Sequence, residues 1–221
     1  MELRLSSSLR VAVMSRDFQE IALRLVEIGR SFYSRGWVLG TSGNFSAVVC
    51  RDPLRLAMSP SGVDKGLLEA DQILLIDQHA NVIGEHAARP SDESPLHLLL
   101  VSEFGAGAVL HTHSVWSTTL SDLHAADGGL AIEGYEMLKG MEGVKTHQHR
   151  EWLPIIENAQ GMTALADSVG GVLRRHQDTH GFLLRRHGLY TWGKDLAQAK
   201  RHVEILEFLL EAVGRARFMR R

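Results

Sequence analysis

Two histidines one residue apart, His111 and His113, close the apolar run Gly107-Ala108-Val109-Leu110. Alternate side chains of an extended strand project to the same face, so the two imidazoles leave the strand end together. Two ring nitrogens placed that way can share one zinc ion at about 2.0–2.1 Å each. The plain alternative is that a chain with twelve histidines sets two of them on a strand by chance. A second pair, His147 and His149, sits among Lys145, Thr146, Gln148, Arg150 and Glu151, and this polar company predicts a solvated loop. A catalytic zinc needs a third protein ligand. His187 is the candidate, because it follows the strand-like Gly181–Arg186 and precedes Gly188, a strand-end position like that of His111. An ordinary loop histidine has the same spacing, and spacing does not decide between the two.

Three short segments have the chemistry of an anion cradle: Thr41-Ser42-Gly43-Asn44, Ser59-Pro60-Ser61-Gly62 and Arg89-Pro90-Ser91-Asp92. Each supplies hydroxyls, or a Gly or Asn that lets backbone N–H groups turn toward a phosphate. The helix expected to start near Asp92 adds free N–H donors and a positive dipole end, and Lys65 can add a full charge. Taken singly, each segment is also an ordinary turn. Two carboxylates complete the set. Glu93 opens a helix, where it would favour the dipole. Glu136 lies in the apolar-flanked Ile132–Gly140, where partial burial beside a metal would suit a general acid and base, and where a surface glutamate is the bland reading.

The elements that must position these groups alternate in period. Phe18, Ile21, Ala22, Leu25, Ile28 and Phe32 follow helical spacing, and Gly36 offers a stop. Strand-like runs at Phe45–Val49, Leu54–Met58 and Ile73–Ile76 are separated by Arg51-Asp52-Pro53 and Ser59-Pro60-Ser61-Gly62. A helix from Ser91-Asp92-Glu93 to Phe104 should end at Gly105. Then come strand Ala108–Leu110, a helix from about Val115, and a glycine-rich crossing at Asp127–Gly129. Strand Leu153–Ile156, helix Met162–Arg175, strands Phe182–Arg185 and Leu189–Trp192, and a helix from Asp195 to about Arg217 complete the chain. Strands outnumber what simple βαβ alternation needs. The expectation is an α/β fold of α/β/α layers, with a largely antiparallel central sheet flanked by helices.

At 221 residues the chain fits one domain, 1–221, with 44% apolar and 23% charged residues. A net charge of −2 gives no electrostatic reason for a nucleic-acid or anionic-membrane partner. Nowhere do 18 apolar residues run together, and Met1–Phe18 lacks the apolar stretch of a signal peptide. Cys50 is the only cysteine, so no disulfide forms within the chain, and the expected compartment is the cytoplasm.

Taken in order, Gly40–Asn44, Ser59–Gly62, His111–Ser114 and Arg185–Gly188 resemble the class II aldolase superfamily, whose other branch is the adducin head. More narrowly, Glu136–Gly140, Leu153–Asn158 and Arg186–Gly193 are similar to the dehydratases of that superfamily that act on 5-methylthioribulose 1-phosphate. The similarity covers about residues 18–213. It implies an antiparallel-rich sheet between helices, a homotetramer, and a small phosphorylated ketose as substrate. It also implies one Zn2+ per subunit on His111, His113 and His187, with Glu136 as proton donor and acceptor. The substrate phosphate would lie against Gly43, Asn44, Ser61, Gly62 and the Ser91 loop. Sugar-phosphate aldolases of the superfamily carry a second serine where this chain has Asp92, whose charge opposes a phosphate. Glu93 matches the carboxylate that sits by the metal in those aldolases.

Overall fold

Runs of apolar and β-branched residues broken by turns build one eight-stranded sheet. A computed structural model describes residues 7–219, so the first six and last two residues of the expected single domain lie outside it. The strands are β1 (Asn44–Arg51), β2 (Leu54–Met58), β3 (Leu74–Asp77), β4 (Ala108–Thr112), β5 (Gly129–Glu133), β6 (Arg150–Ile156), β7 (Gly181–Leu184) and β8 (Gly188–Gly193). Their order is β3-β2-β1-β4-β8-β7-β6-β5. All described neighbours pair antiparallel except β6 and β7. The expected largely antiparallel α/β/α arrangement is what forms.

Among the described residues five α-helices cover the sheet: α1 (Ser7–Ser34), α2 (Ser94–Glu103), α3 (Val115–Leu123), α4 (Met162–Arg175) and α5 (Leu196–Met219). On one face α1 contributes Leu25 and Phe32, α3 Leu120, and α5 Val203 and Leu206; on the other α2 contributes Leu96 and Leu100, and α4 Leu165 and Val169. All of these are essentially buried. Burying a Leu, Val or Phe side chain contributes about 1.5–3 kcal/mol, so the two apolar layers hold the sheet rigid between them. Among the described residues no helix is long and apolar enough to cross a membrane.

Strand direction decides what can meet. β4 and β8 are antiparallel, so the end of β4 and the start of β8 share one end of the sheet. β1 is antiparallel to β4 on the other side, which brings Asn44 opposite His111. β5 is antiparallel to β6, which runs parallel to β7, so β5 points against β4 and its C-terminus leaves at the far end. β5 itself was expected only as a crossing, because a five-residue run opening on Gly129 carries little strand signal. Gly129 sits under Trp152, where an added Cβ would lie 2.3 Å from the indole, so the residue that weakens the pattern also lets β5 pair with β6.

Candidate metal and substrate site

His111 is the penultimate residue of the buried strand β4 and is wholly buried. Its Nδ1 donates to the Leu189 carbonyl at 2.9 Å, which leaves Nε2 with a lone pair. That Nε2 lies 2.7 Å from His113 Nε2 and 3.3 Å from His187 Nε2, and the latter two are 3.1 Å apart. Ligands of a tetrahedral zinc at 2.0–2.1 Å stand about 3.3 Å from one another, so three nitrogens this close around one point fit a single ion. Burial, reinforced by the neighbouring imidazoles, pushes His111 well below the ordinary histidine pKa. It pushes His113 down to about 3 and lowers His187 as well. All three are neutral at physiological pH, which is the ligating form.

Local packing fixes the His111 ring and the backbone that carries the other two histidines. His111 stacks on Tyr190, its partner across β8, at 3.8 Å between centroids, and Tyr190 stacks on Phe182 at 5.0 Å. Gly188 lets β8 start alongside β4, because a Cβ there would sit 2.0 Å from the Thr112 carbonyl. His187 reaches the cluster from the turn before it, and its carbonyl accepts the Thr118 hydroxyl of α3 at 2.9 Å. After His113 the chain turns at once into α3, whose first turn is capped by Ser114 through the Ser117 N–H at 3.0 Å.

A carboxylate joins the histidines. Glu93 Oε2 lies 3.6 Å from His111 Nε2, and Oε1 lies 3.4 Å from His187 Nε2. With the imidazoles neutral these are separations within one ligand set rather than ion pairs; all four donor atoms lie within 4.8 Å of one another. The cluster is able to hold a divalent metal ion. Glu93 is aimed by a hydrogen-bond chain running one way. The buried His97 is held neutral, its pKa lowered to about 3 by burial, so it has one N–H. Ser46 Oγ–H donates to His97 Nδ1 (2.8 Å), His97 Nε2–H to Asn44 Oδ1 (2.5 Å), and Asn44 Nδ2–H to Glu93 Oε2 (2.6 Å). Donors aligned in series polarise one another toward the carboxylate.

The three anion-cradle segments meet beside this cluster. Pro60 pairs with Pro90, the Ser61 N–H donates to the Arg89 carbonyl at 3.0 Å, and the Asn44 amide reaches Ser91 Oγ at 3.2 Å. Asn44 therefore spends its side chain on Glu93, Ser91 and His97, and the Ser61 N–H is already engaged. Gly43 has φ +71°, and a Cβ there would lie 2.7 Å from the His111 carbonyl, so it serves close packing against β4. Gly62, at φ +74°, faces open space. Lys65 is buried beneath the segments, donating to the carbonyls of Thr41 (3.2 Å) and Val63 (2.8 Å), and burial lowers its pKa to about 8. Asp92 turns outward to Arg89 at 2.7 Å, away from the cradle.

Residues 23–213 match the family described as Class II Aldolase and Adducin N-terminal domain. The methylthioribulose-1-phosphate dehydratase of Marinobacter nauticus is 41% identical over 191 residues, spanning 86% of this chain and 90% of that protein. The chain belongs to the methylthioribulose-1-phosphate dehydratase family of class II aldolases. The protein of that name from Pseudomonas savastanoi pv. phaseolicola is 43% identical over 199 residues, 90% of this chain and 95% of its own length. The crystal structure of L-fuculose-1-phosphate aldolase from Thermus thermophilus superposes with a TM-score of 0.71 at 22% identity, over 91% and 98% of the two chains, a likeness of fold.

In this member of the dehydratase family the two named carboxylates part company. Glu93 is in the cluster; Glu136 is not. Glu136 opens a 3-10 turn, Glu136–Gly140, after β5, four strands from β4 and at the opposite end of the sheet. Its side chain is 72% exposed, paired with Lys139 at 2.6 Å and with His147 at 3.6 Å. The apolar neighbours that suggested burial serve Leu138 instead, which is fully buried under α5. His97, Ser46, Tyr190 and Glu207 also belong to the site's surroundings and carry no motif in the sequence. Glu93 and His97 stand four apart on a helix start, a spacing that could have paired them. Glu207 is a buried carboxyl on α5 that accepts the hydroxyl of Thr112, the residue between the two histidines, and burial raises its pKa to about 7.

Proposed function

We propose that the chain dehydrates 5-methylthioribulose 1-phosphate to 2,3-diketo-5-methylthiopentyl 1-phosphate, a step of methionine salvage, as a cytoplasmic zinc-dependent homotetramer. The observation that carries this is the convergence of three neutral imidazole nitrogens and one carboxylate beside a basic, loop-built cradle, in a chain about 40% identical to dehydratases of that name. Zinc on His111, His113 and His187 would supply Lewis acidity toward the carbonyl end of the substrate. The Ser61–Gly62 and Ser91 loops, with Gly43 and Asn44 at their base, would take the phosphate, and buried Lys65 favours an anion there.

The chemistry needs a proton moved twice. A base removes the C3 proton, the electron pair forms the C3–C4 double bond, and the C4 hydroxyl departs as water with a proton from the same acid. The resulting enol then tautomerises to the diketone. Glu136 is our candidate for both transfers, and its hydrogen bond to Lys139 holds the carboxyl below the usual range, so it is ready as a base. From the far end of its own sheet it serves a site only on a neighbouring subunit, so this role and the homotetramer stand together. The half-exposed Phe208 on α5, beside buried Leu206, Leu209 and Leu210, suits a subunit contact. A second reading is favoured by one observation: Glu93 already lies among the histidines, and it would then move the proton within one chain. Product analysis tests the proposal, because dehydration gives one diketone whereas aldol cleavage gives two carbonyl fragments.

A further inference from the structure

Far from the first cluster, a second set of metal-ligating groups gathers at the other end of the sheet. β6 and β7 run parallel, so their starts lie side by side. His149 precedes β6, Glu151 is its second residue on the same face, and His180 immediately precedes β7. Glu151 is 1% exposed, and its Oε2 lies 2.9 Å from His149 Nε2 and 2.9 Å from His180 Nδ1. The other atoms are already committed. Glu151 Oε1 accepts the backbone N–H of His180 at 2.9 Å, and His180 Nε2 donates to the Glu142 carbonyl at 2.8 Å. Such a carbonyl partner fixes the tautomer of a metal-bound histidine and leaves its other nitrogen as the donor. Three donor atoms therefore gather at one point, all within 4.8 Å of one another, with Glu151 Oε2 in contact with both imidazoles. That point borders a cavity of about 580 Å³ lined by Glu142, His149, Thr179, His180, Trp192 and His202.

We infer that His149, Glu151 and His180 form a second metal site, taking one divalent ion of the zinc type, with its remaining positions open to the cavity. Tetrahedral ligands at 2.0–2.1 Å stand about 3.3 Å apart, so the two 2.9 Å contacts need to open by only about 0.4 Å. Two imidazoles and a carboxylate are a donor set that suits zinc and its neighbours rather than calcium or magnesium. A buried carboxylate facing two histidines without an ion is the competing account, in which a proton on His180 takes the place of the metal. The site is independent of the proposed activity.

Metal content after dialysis of the full chain against Zn2+ separates the two. The expected result is two zinc ions per chain for the unaltered protein, one for His149→Gln, and one for His111→Ala. His149 is 29% exposed at its side chain, so its replacement leaves the core intact. An unchanged circular dichroism spectrum checks this, and His149→Asn serves as a second variant should the first fail to fold. A folded His149 variant that binds as much zinc as the unaltered chain overturns the site.

Discussion

Glu136→Gln separates chemistry from folding more cleanly than any other change. The side chain is 72% exposed and its partners, Lys139 and His147, are solvated, so the amide leaves fold, melting temperature and zinc content unchanged. If Glu136 moves the proton, turnover falls about 10²–10⁴-fold, the usual contribution of a placed acid–base group. The sheet topology adds a stricter expectation. Glu136 and His111 of one chain lie at opposite ends of the sheet, so a complete site would draw the two from different chains. His111→Ala and Glu136→Gln chains, each nearly inactive alone, should then rescue one another when unfolded together and reassembled. A working site needs a neighbour with intact Glu136 beside a chain with intact histidines. Random assortment of equal amounts meets each condition half the time, so about a quarter of the sites are complete. The assay is specific activity of the mixture against the two parents, with light scattering to confirm assembly beyond the 24.5 kDa single chain. Activity no greater than the parents' sum refutes a shared site. Near-normal turnover by Glu136→Gln, with a dead Glu93→Gln, moves the proton transfer to Glu93.

Removing a ligand should act on metal first: His111→Ala is expected to lose the zinc of the three-histidine site and most activity together, measured by metal analysis and turnover. Asn44→Ala strands the buried His97 N–H and frees Glu93, so stability should drop by about 1–3 kcal/mol in urea denaturation, with turnover falling as well. Glu207 carries a folded pKa of about 7 against 4.5 for a free glutamate, so the native state binds more protons than the unfolded chain between those values. Stability on its account therefore falls as pH rises through that window. Glu207→Gln escapes this, and its advantage over the unaltered chain should grow from near zero at about pH 4.5 to about 3 kcal/mol at about pH 8, read by urea denaturation.

The parts of the site carried by strand ends are legible in the sequence because period and punctuation mark them. Apolar β4 ends in His-x-His, and the strand-like run before His187 stops at Gly188. The three cradle segments are visible as turns, but their place beside the histidines depends on β1 lying next to β4, a pairing that no local pattern encodes. The position of Glu136 shows a limit of a different sort: of the two readings its flanks leave open, the surface glutamate is the one that forms. Apolar flanks around a carboxylate say that the segment is anchored, not which of its residues faces inward; Leu138 took the buried place. His149 reads as loop because its neighbours are polar, yet Glu151 two residues on is buried, since β6 starts earlier than its apolar residues show. Polar groups buried for the sake of one another, such as Ser46, His97 and Asn44, leave no periodic trace, because each satisfies its hydrogen bonds across elements far apart in sequence.

The most direct test of the proposed activity is the reaction of the zinc-loaded chain with 5-methylthioribulose 1-phosphate in heavy water. The expected result is a single product lighter by one water, with one solvent deuteron at C4 delivered when the enol becomes the ketone, and no product from the His111→Ala chain. Dihydroxyacetone phosphate and a methylthio aldehyde would make the chain an aldolase, and unchanged substrate would rule out the proposed dehydration outright.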